Sequence, residues 1–298
     1  MYEQNSKVTF GICADPHKDI MHDANERLRV FVDEMNRRKV DFIIHLGDFA
    51  HPARENQDFL DIWESFCGAK YHTVGNHDPE KGFTYEDLRK YWKLEYPYYS
   101  FDCNGFHFVV LDGNDASENH NPSCPDFPAY IGSEQLAWLK DDLLSSEYPS
   151  FIFSHQTLED ERGVDNWQQI RALFDNINAQ KNKGRIVACF CGDLHLDAVN
   201  KVNGIYYIYV NSMSNHWMGE EYAYIRYSDE IDKQYPAIKY TAPYKDSLYA
   251  TITITNDKIK IKGKKSEFVG PSPRELGYPV DEKRGKIEPI ITSQELQI

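Results

Sequence analysis

Short apolar runs alternate with longer amphipathic stretches along the chain. Five runs rich in β-branched, aromatic or Cys residues favour buried strands. They cover residues 8–14, 42–46, 71–74, 151–153 and 186–191. Apolar positions three and four residues apart favour helices over 24–38, 56–66, 133–144 and 166–180. This alternation predicts an α/β fold in which the first strands are parallel.

Asn-Gly pairs mark two predicted hairpins. Strands at 98–102 and 106–111 flank Asn104-Gly105, and strands at 198–202 and 205–210 flank Asn203-Gly204. Asn-Gly between alternating segments is a strong hairpin signal, so these strands are expected to form a second sheet. A further hairpin around Asn256-Asp257 is expected to extend that second sheet.

The pattern predicts one domain over 1–265 of the 298 residues. Its core covers about 7–215, followed by a tyrosine-rich lobe over about 217–249 and an added hairpin at 249–262. The remaining 266–298 contains four prolines and no sustained periodicity. This segment is expected to be an extended C-terminal tail.

Charge and cysteine usage narrow the class of protein. The 33 basic and 47 acidic residues leave a net charge of −14, which disfavours a long nucleic acid as substrate. Neither a signal peptide nor a membrane-spanning run is recognisable, so we expect a cytoplasmic protein, or an exported one if a leader was removed. Cys-x-x-Cys spacing is absent. Cys103 and Cys124 could pair if the protein is exported.

Polar side chains follow each of the five apolar runs. They are Asp15, His17, Asp48, Asn76, His77, Asp78, His155, Asp193 and His195. Side chains at the carboxyl ends of neighbouring strands converge on one crevice. Carboxylate and imidazole ligands without thiolate suit Mn²⁺, Fe or Zn²⁺, and two such ions can share a carboxylate and clamp a phosphate. Gly47 and Gly75 fit the turns that direct Asp48 and Asn76 inward.

The ordered blocks resemble the calcineurin-like metallophosphoesterases over about residues 7 to 215. The matching residues are Asp15-x-His17, Gly47-Asp48, Gly75-Asn76-His77-Asp78, His155 and Gly192-x-x-His195. Five blocks in the family's order are far more specific than any single one. The resemblance implies a four-layer α/β/β/α sandwich, in which helices flank two mixed sheets.

The resemblance also implies roles for these residues. The first metal ion would be held by Asp15, His17, Asp48 and His195, and the second by Asp48, Asn76, His155 and residue 193. Asp48 would bridge the two ions. His77 would polarise the phosphate and protonate the leaving oxygen, while Asp78 would orient the loop.

The chain departs from the family pattern at two positions. Where many relatives carry an Asp or Asn that touches the catalytic histidine, this chain has His51, which could be a partner of His77 or a surface loop residue. Where relatives carry Gly-His-x-His, it has Gly192-Asp193-Leu194-His195. A ligating Asp193 adds a third carboxylate, which favours Mn²⁺ or Fe over Zn²⁺. We predict that Asp193 ligates; the alternative is a weakened or vacant second site.

The resemblance therefore implies a phosphoric ester hydrolase with two divalent or mixed-valence ions, with Mn preferred and Fe or Zn possible. Attack by a metal-bridging hydroxide on a small phosphodiester or pyrophosphate, nucleotide-like in character, is the expected reaction. A phosphomonoesterase and a non-catalytic binding scaffold of the same fold are the alternatives. The expected partner is a small phosphorylated substrate, without long nucleic acid or membrane; the oligomeric state stays open. Substrate recognition would fall to residues 115–129 and the tyrosine-rich lobe.

Overall fold

The computed structural model describes residues 6–116, 127–181, 183–281 and 283–298. Cys124 and most of the predicted recognition loop at 115–129 lie outside these ranges. The strands are β1 (Lys7–Cys13), β2 (Phe42–His45), β3 (Ala69–His72), β4 (Tyr99–Cys103), β5 (Phe106–Val110), β6 (Ser150–Ser154), β7 (Ile186–Cys191), β8 (Ala198–Val202), β9 (Ile205–Tyr209), β10 (Asn215–Trp217), β11 (Thr241–Pro243), β12 (Ala250–Thr255), β13 (Lys258–Lys262) and β14 (Gln294–Gln297). The α-helices are α1 (Ala24–Arg38), α2 (Gln57–Glu64), α3 (Tyr85–Trp92), α4 (Ser133–Ser145), α5 (Trp167–Gln180) and α6 (Asp229–Gln234).

The first sheet has the strand order β14-β13-β12-β1-β2-β3. β1, β2 and β3 are parallel, as the alternation of strands and helices predicts. The prediction that the hairpin at 249–262 extends the second sheet is wrong, because β12 pairs antiparallel with β1 in the first sheet. The alternation of apolar residues in β12 determines which face is buried, but it does not determine which sheet edge the strand joins. β1 pairs with β2 along one edge and with β12 along the other.

The second sheet has the order β4-β5-β6-β7-β9-β8. The two predicted Asn-Gly hairpins are confirmed as β4–β5 and β8–β9. Both turn residues have positive φ in each case, with 51° and 84° at Asn104 and Gly105 and 51° and 87° at Asn203 and Gly204. Positive φ at both central residues is the type I′ geometry that matches the twist of the paired strands.

The two sheets pack face to face through a cluster of phenylalanine rings. Phe10 of β1 stacks on Phe42 of β2 at 4.6 Å, and its edge meets Phe108, Phe153 and Phe190 of the second sheet at 5.7 to 6.0 Å. A second apolar cluster joins α1 and α2 to the outer face of the first sheet, and a third joins α4 and α5 to the outer face of the second. The predicted four-layer α/β/β/α sandwich is confirmed.

The lobe and tail contain elements that the apolar pattern did not reveal. β10 pairs with β11 across the lobe, and β14 at the end of the tail pairs with β13. The segment before β10 supports the loop after β1, because the hydroxyls of Ser212 and Ser214 donate to the carbonyl oxygens of Asp15 and Pro16. Among the described residues, no helix combines the length and apolar character that crossing a membrane requires.

His107 provides a test of the packing of α4 on the second sheet. Its Nδ1 lies 2.7 Å from Asp102 Oδ1 and its Nε2 lies 2.9 Å from Asp142 Oδ2. Burial lowers the pKa of His107, but the hydrogen bonds to the two carboxylates outweigh it and raise the pKa above its usual value. Stabilisation by the charged ring is therefore complete below the ordinary histidine pKa and is lost as the pH rises through the raised value.

We expect His107→Gln to lower the free energy of unfolding by about 1.5–3 kcal/mol at pH 6, the usual contribution of hydrogen bonds to charged groups. The difference from wild type should shrink as the pH rises towards 9. Urea unfolding of both proteins at several pH values measures this. An equal difference at every pH would show that the charge on His107 contributes nothing.

Candidate metal centre

Seven predicted ligands follow strand ends at one edge of the two sheets. Asp15 and His17 follow β1, Asp48 follows β2, Asn76 follows β3, His155 follows β6, and Asp193 and His195 follow β7. Five of them have a left-handed backbone: φ is 49° at Asp15, 50° at His17, 49° at Asp48, 61° at Asp193 and 48° at His195.

Left-handed backbone is costly for residues with a side chain and concentrates at functional sites. Most of the other described residues of this kind have ordinary explanations. Lys39 and Lys93 end helices, and Asn104 and Asn203 form hairpin turns. The ligand loops alone combine this strain with inward-pointing carboxylates and imidazoles.

The first ligand group consists of Asp15, His17 and His195, all buried. Nε2 of His17 faces Nε2 of His195 at 3.1 Å, and the latter lies 3.6 Å from Asp15 Oδ1. The Nδ1–H of His195 donates to the carbonyl oxygen of Asn215 at 2.8 Å, which leaves Nε2 directed into the group. Burial lowers the pKa of His17 well below its usual value, so its ring is neutral.

One oxygen of this group lacks a partner. Asp15 Oδ2 is buried and has no hydrogen bond among the described residues. Leaving such a carboxylate oxygen unpaired is costly unless another group satisfies it. A buried carboxylate with one orphaned oxygen, grouped with two imidazoles, fits a divalent cation, so the residues present fit the metal that their pattern implies.

The second ligand group surrounds His155, which is fully buried. Its Nδ1–H donates to the carbonyl oxygen of Leu46 at 2.6 Å, so Nε2 points into the site. Nε2 lies 2.8 Å from Asn76 Oδ1, 3.4 Å from Asp48 Oδ1 and 3.4 Å from Asp193 Oδ1. Three oxygen donors therefore converge on one imidazole nitrogen.

Two carboxylates lie between the ligand groups. Asp48 places Oδ2 3.7 Å from His17 Nε2 and Oδ1 3.4 Å from His155 Nε2, so one oxygen faces each group. Asp15 belongs to both groups as well, because it offers a possible ligand atom within 4.8 Å of those of His17 and His195 and also of those of Asp48 and His155. The sequence singled out Asp48 alone as the bridging residue.

Asp193 lies on the second group, but its environment differs from that of the other carboxylates. Its side chain is 23% exposed, whereas those of Asp15 and Asp48 are 0% and 3% exposed. The backbone N–H of Asp193 donates to Asp15 Oδ1 at 3.2 Å, which holds the loop against the first group. The carboxylate therefore reaches the site from its solvent side.

Close approach of the backbone explains two glycines of the motif. A Cβ on Gly75 would lie 2.2 Å from both the backbone nitrogen and Oδ1 of Asp48, and one on Gly192 would lie 2.7 Å from Asp15 Oδ2. Any side chain at these positions would displace a carboxylate of the site. The positive φ of Gly47, at 93°, fits the predicted turn before Asp48.

His77 lies at the mouth of the site. Its backbone N–H donates to Asp48 Oδ1 at 3.0 Å, and its Nδ1 lies 2.9 Å from Glu80 Oε1. Its ring centroid lies 4.5 Å from that of Phe127 and 5.8 Å from that of His17. Burial lowers the pKa of His77, but the Asp48 charge and the Glu80 hydrogen bond outweigh it and raise the pKa to about 9.

Asp78 lies behind the ligand loops, where a loop-orienting residue was expected. Its carboxylate accepts hydrogen bonds from the backbone N–H groups of Asp48, Phe49, Ala50 and Gly75 at 2.7 to 3.1 Å. Four donors on one buried carboxylate hold the loop after β2 against the loop after β3.

His51 does not contact His77 in the described hydrogen bonds. Its backbone N–H donates to Asp19 Oδ2 at 2.9 Å, and its ring Nε2 lies 3.7 Å from the same oxygen. The ring is buried and lies near Asp19 and Phe83. Neither sequence interpretation describes it, since it is not a surface residue and makes no described hydrogen bond to His77.

Sequence reasoning missed two groups near the site. Glu80 pairs with His77. Asn114 donates to the carbonyl oxygen of Val74 at 3.2 Å and accepts from Gln156 at 2.6 Å, which ties the loop before Asn76 to the residue after His155. Asp112 accepts from Asn114 and follows β5 as the ligands follow their strands. Asp112 and Asn114 could have been found from the sequence, because they follow a strand as the predicted ligands do. The contact of Glu80 with His77 depends on a local turn, which the strand pattern does not reveal.

Comparisons with known proteins agree with this geometry. A family model described as calcineurin-like phosphoesterase matches residues 8–197. A manganese-dependent ADP-ribose/CDP-alcohol diphosphatase from Oryza sativa subsp. japonica is 27% identical over 180 residues, which are 47% of this chain and 56% of that protein. The chain therefore spans little more than half the length of this curated relative.

Two solved structures share the fold at low sequence identity. A dimetal phosphatase from Danio rerio superposes with a TM-score of 0.63 at 15% identity, covering 88% of this chain and 98% of that one. GAP50, described as the anchor in the inner membrane complex of Plasmodium, superposes with a TM-score of 0.57 at 14% identity, covering 98% of this chain and 89% of that one.

Proposed function

The chain belongs to the calcineurin-like phosphoesterase family, and on that premise we propose that it is a phosphoester hydrolase with a two-metal site. Its substrate in this proposal is a small, nucleotide-like phosphodiester or pyrophosphate. The observation that carries the proposal is the convergence of two buried ligand groups that meet at Asp15 and Asp48.

The ligand set follows from these contacts. One ion would be held by Asp15, His17, His195 and Asp48, and the other by Asp48, Asn76, His155 and Asp193. The set contains more oxygen donors than imidazole nitrogens, and it contains no thiolate. This composition favours Mn²⁺ or Fe over Zn²⁺. When bound, the ions would polarise the phosphate and make a water molecule a stronger nucleophile.

The charge of the ligand set supports a diester or pyrophosphate over a monoester. Two divalent ions bring four positive charges, and the carboxylates of Asp15, Asp48 and Asp193 would neutralise three of them. A water molecule that loses its proton to become the nucleophile would neutralise the fourth, which disfavours the dianionic phosphate of a monoester more than the monoanionic phosphate of a diester. A set with two carboxylates, as the family pattern implies, would keep one positive charge and suit a dianionic monoester better.

The chain's own residues supply positioning and proton transfer in this proposal. The hydrogen bonds of His155 to Leu46 and of His195 to Asn215 aim both Nε2 atoms inward. His77 would protonate the leaving oxygen, since its ring stands at the mouth of the site and ligates neither group. The similarity to the rice ADP-ribose/CDP-alcohol diphosphatase supports, as the proposed substrate class, a nucleoside diphosphate linked to a sugar or alcohol.

A substrate panel tests the proposal. The manganese-loaded protein is assayed with p-nitrophenyl phosphate, bis(p-nitrophenyl) phosphate, ADP-ribose and a CDP-alcohol. We expect kcat/KM for the diester or a pyrophosphate to exceed that for the monoester at least about tenfold, which is about 1.4 kcal/mol. Preference for the monoester would overturn the substrate class. Absence of metal-dependent turnover on all four would overturn the enzymatic function.

A further inference from the structure

His77 has an acidic neighbour that the ligand pattern does not include. Glu80 Oε1 accepts a hydrogen bond from Nδ1–H of His77 at 2.9 Å. An acceptor-only carboxylate on Nδ1 keeps a proton there, holds the ring in one orientation and directs Nε2 away from the pair. We propose that Glu80 is the positioning residue of His77, holding the ring so that the protonated imidazole can pass its Nε2 proton to the leaving oxygen.

Several local constraints hold the turn that carries Glu80. Four backbone N–H groups anchor Asp78, Pro79 restricts the next φ angle, and the N–H of Glu80 bonds back to the carbonyl oxygen of His77 at 3.3 Å. Lys81 and Gly82 then turn the chain away with φ of 59° and 86°. The pair is thus preorganised, which spares the reaction the cost of ordering it.

The position of His51 explains why a residue of this turn, and not His51, orients His77. It occupies the position, three residues after Asp48, where the family pattern usually places the acidic or amide partner of the catalytic histidine. In this chain its ring lies near Asp19 and Phe83, and its backbone bonds to Asp19 and Asn56. Glu80, three residues after His77, supplies the carboxylate locally instead.

A purely stabilising role does not fit the position of the pair. The side chains of His77 and Glu80 are 38% and 35% exposed, and ion pairs this open contribute about 0–1 kcal/mol to stability. Nor does Glu80 contact a metal ligand in the described hydrogen bonds. An effect of Glu80 on turnover would therefore act through His77.

The inference rests on the proposed function, and the reaction step is an ordinary hydrolysis. Oxygen from water forms the new bond to phosphorus, and the bond to the leaving group breaks with its electron pair on the departing oxygen. The Nε2 proton of His77 passes to that oxygen. The imidazole regains a proton, equivalent to the one the water gives up, through solvent. Leaving groups that are poor without protonation depend on this step most.

The test compares Glu80→Ala and Glu80→Gln with wild type on two diesters that differ in leaving-group acidity, bis(p-nitrophenyl) phosphate and diphenyl phosphate. For Glu80→Ala we expect kcat to fall about 100-fold on diphenyl phosphate, as for loss of a partner that orients a catalytic group. On the p-nitrophenyl ester it should fall less than about fivefold, since that leaving group needs little protonation. Glu80→Gln should fall between, because its amide oxygen still accepts the Nδ1 proton without adding charge.

Glu86→Ala is the matched control, since Glu86 on α3 pairs with Arg89 and Lys90 and should leave both rates unchanged. Equal losses on both esters, or no loss on either, would overturn the role of Glu80. ¹⁵N NMR of the His77 ring tests the same contact without turnover. In wild type the Nδ1 proton should exchange slowly with water because it is hydrogen-bonded to Glu80, and in Glu80→Ala it should exchange faster; identical spectra would overturn the proposal even if wild type hydrolyses neither ester. Failure of wild-type turnover alone would instead overturn the proposed function.

Discussion

Asp48→Asn is expected to lower manganese-dependent kcat/KM by at least about 10³-fold, because the residue would serve both ions and each ion contributes several kcal/mol to the transition state. Asp48 directs one oxygen to His17 and the other to His155. An amide would place an uncharged NH₂ group towards one of the two positions. Steady-state kinetics on the best substrate of the panel, at saturating Mn²⁺, measure the loss.

The matched control for this substitution is Asp33→Asn on α1, where the carboxylate is exposed to solvent. Both variants should keep the wild-type circular dichroism spectrum, and only Asp48→Asn should lose activity. Retention of more than about a tenth of wild-type kcat/KM would mean that Asp48 contributes less than about 1.4 kcal/mol. That value is too small for a bridging ligand.

Asp193→Ala is expected to reduce the tightly bound metal from two ions per chain to one. Asp193 Oδ1 lies 3.4 Å from His155 Nε2, and the side chain is open to solvent on one side. Removing a residue that only supports a ligand weakens metal affinity by up to about 100-fold. Loss of a directly bound carboxylate should therefore weaken the affinity for the second ion at least about 100-fold. Elemental analysis after gel filtration, together with activity as a function of Mn²⁺ concentration, measures this loss.

Asp193→His complements that variant, because it restores the imidazole of the usual family pattern. We expect it to bind two ions and to accept Zn²⁺ better relative to Mn²⁺ than wild type does. Two ions and full activity in Asp193→Ala would show that Asp193 is not a ligand. The alternative from the sequence was a weakened or vacant second site. In that case wild type itself would bind only one ion per chain.

The architecture could be predicted from the sequence because its signals are local. Runs such as 186–191 have strand composition, and Asn104-Gly105 and Asn203-Gly204 favour one turn geometry. The placement of β12 could not be predicted, since alternation specifies a buried face and leaves the partner strand undetermined. The short strands β10, β11 and β14 carry no periodic pattern, and their formation depends on tertiary contacts such as the pairing of Ile259 with Leu296.

The convergence of the candidate ligands could be predicted because strand ends of parallel sheets meet at one edge, so residues 140 positions apart, such as Asp15 and His155, come together. The roles of their neighbours could not. Whether His51 faces His77 or Asp19 depends on side-chain directions within a loop, and Glu80 reaches His77 only because a turn folds back.

The central claim is tested most directly by titrating the metal-free protein with Mn²⁺ while following bound metal by electron paramagnetic resonance and turnover of the best panel substrate in the same samples. The account predicts saturation at two ions per chain, a spin-coupled signal from neighbouring ions, and turnover that rises with the second ion. Saturation at one ion per chain with full turnover, or turnover that is unaffected by removing metal, would contradict it.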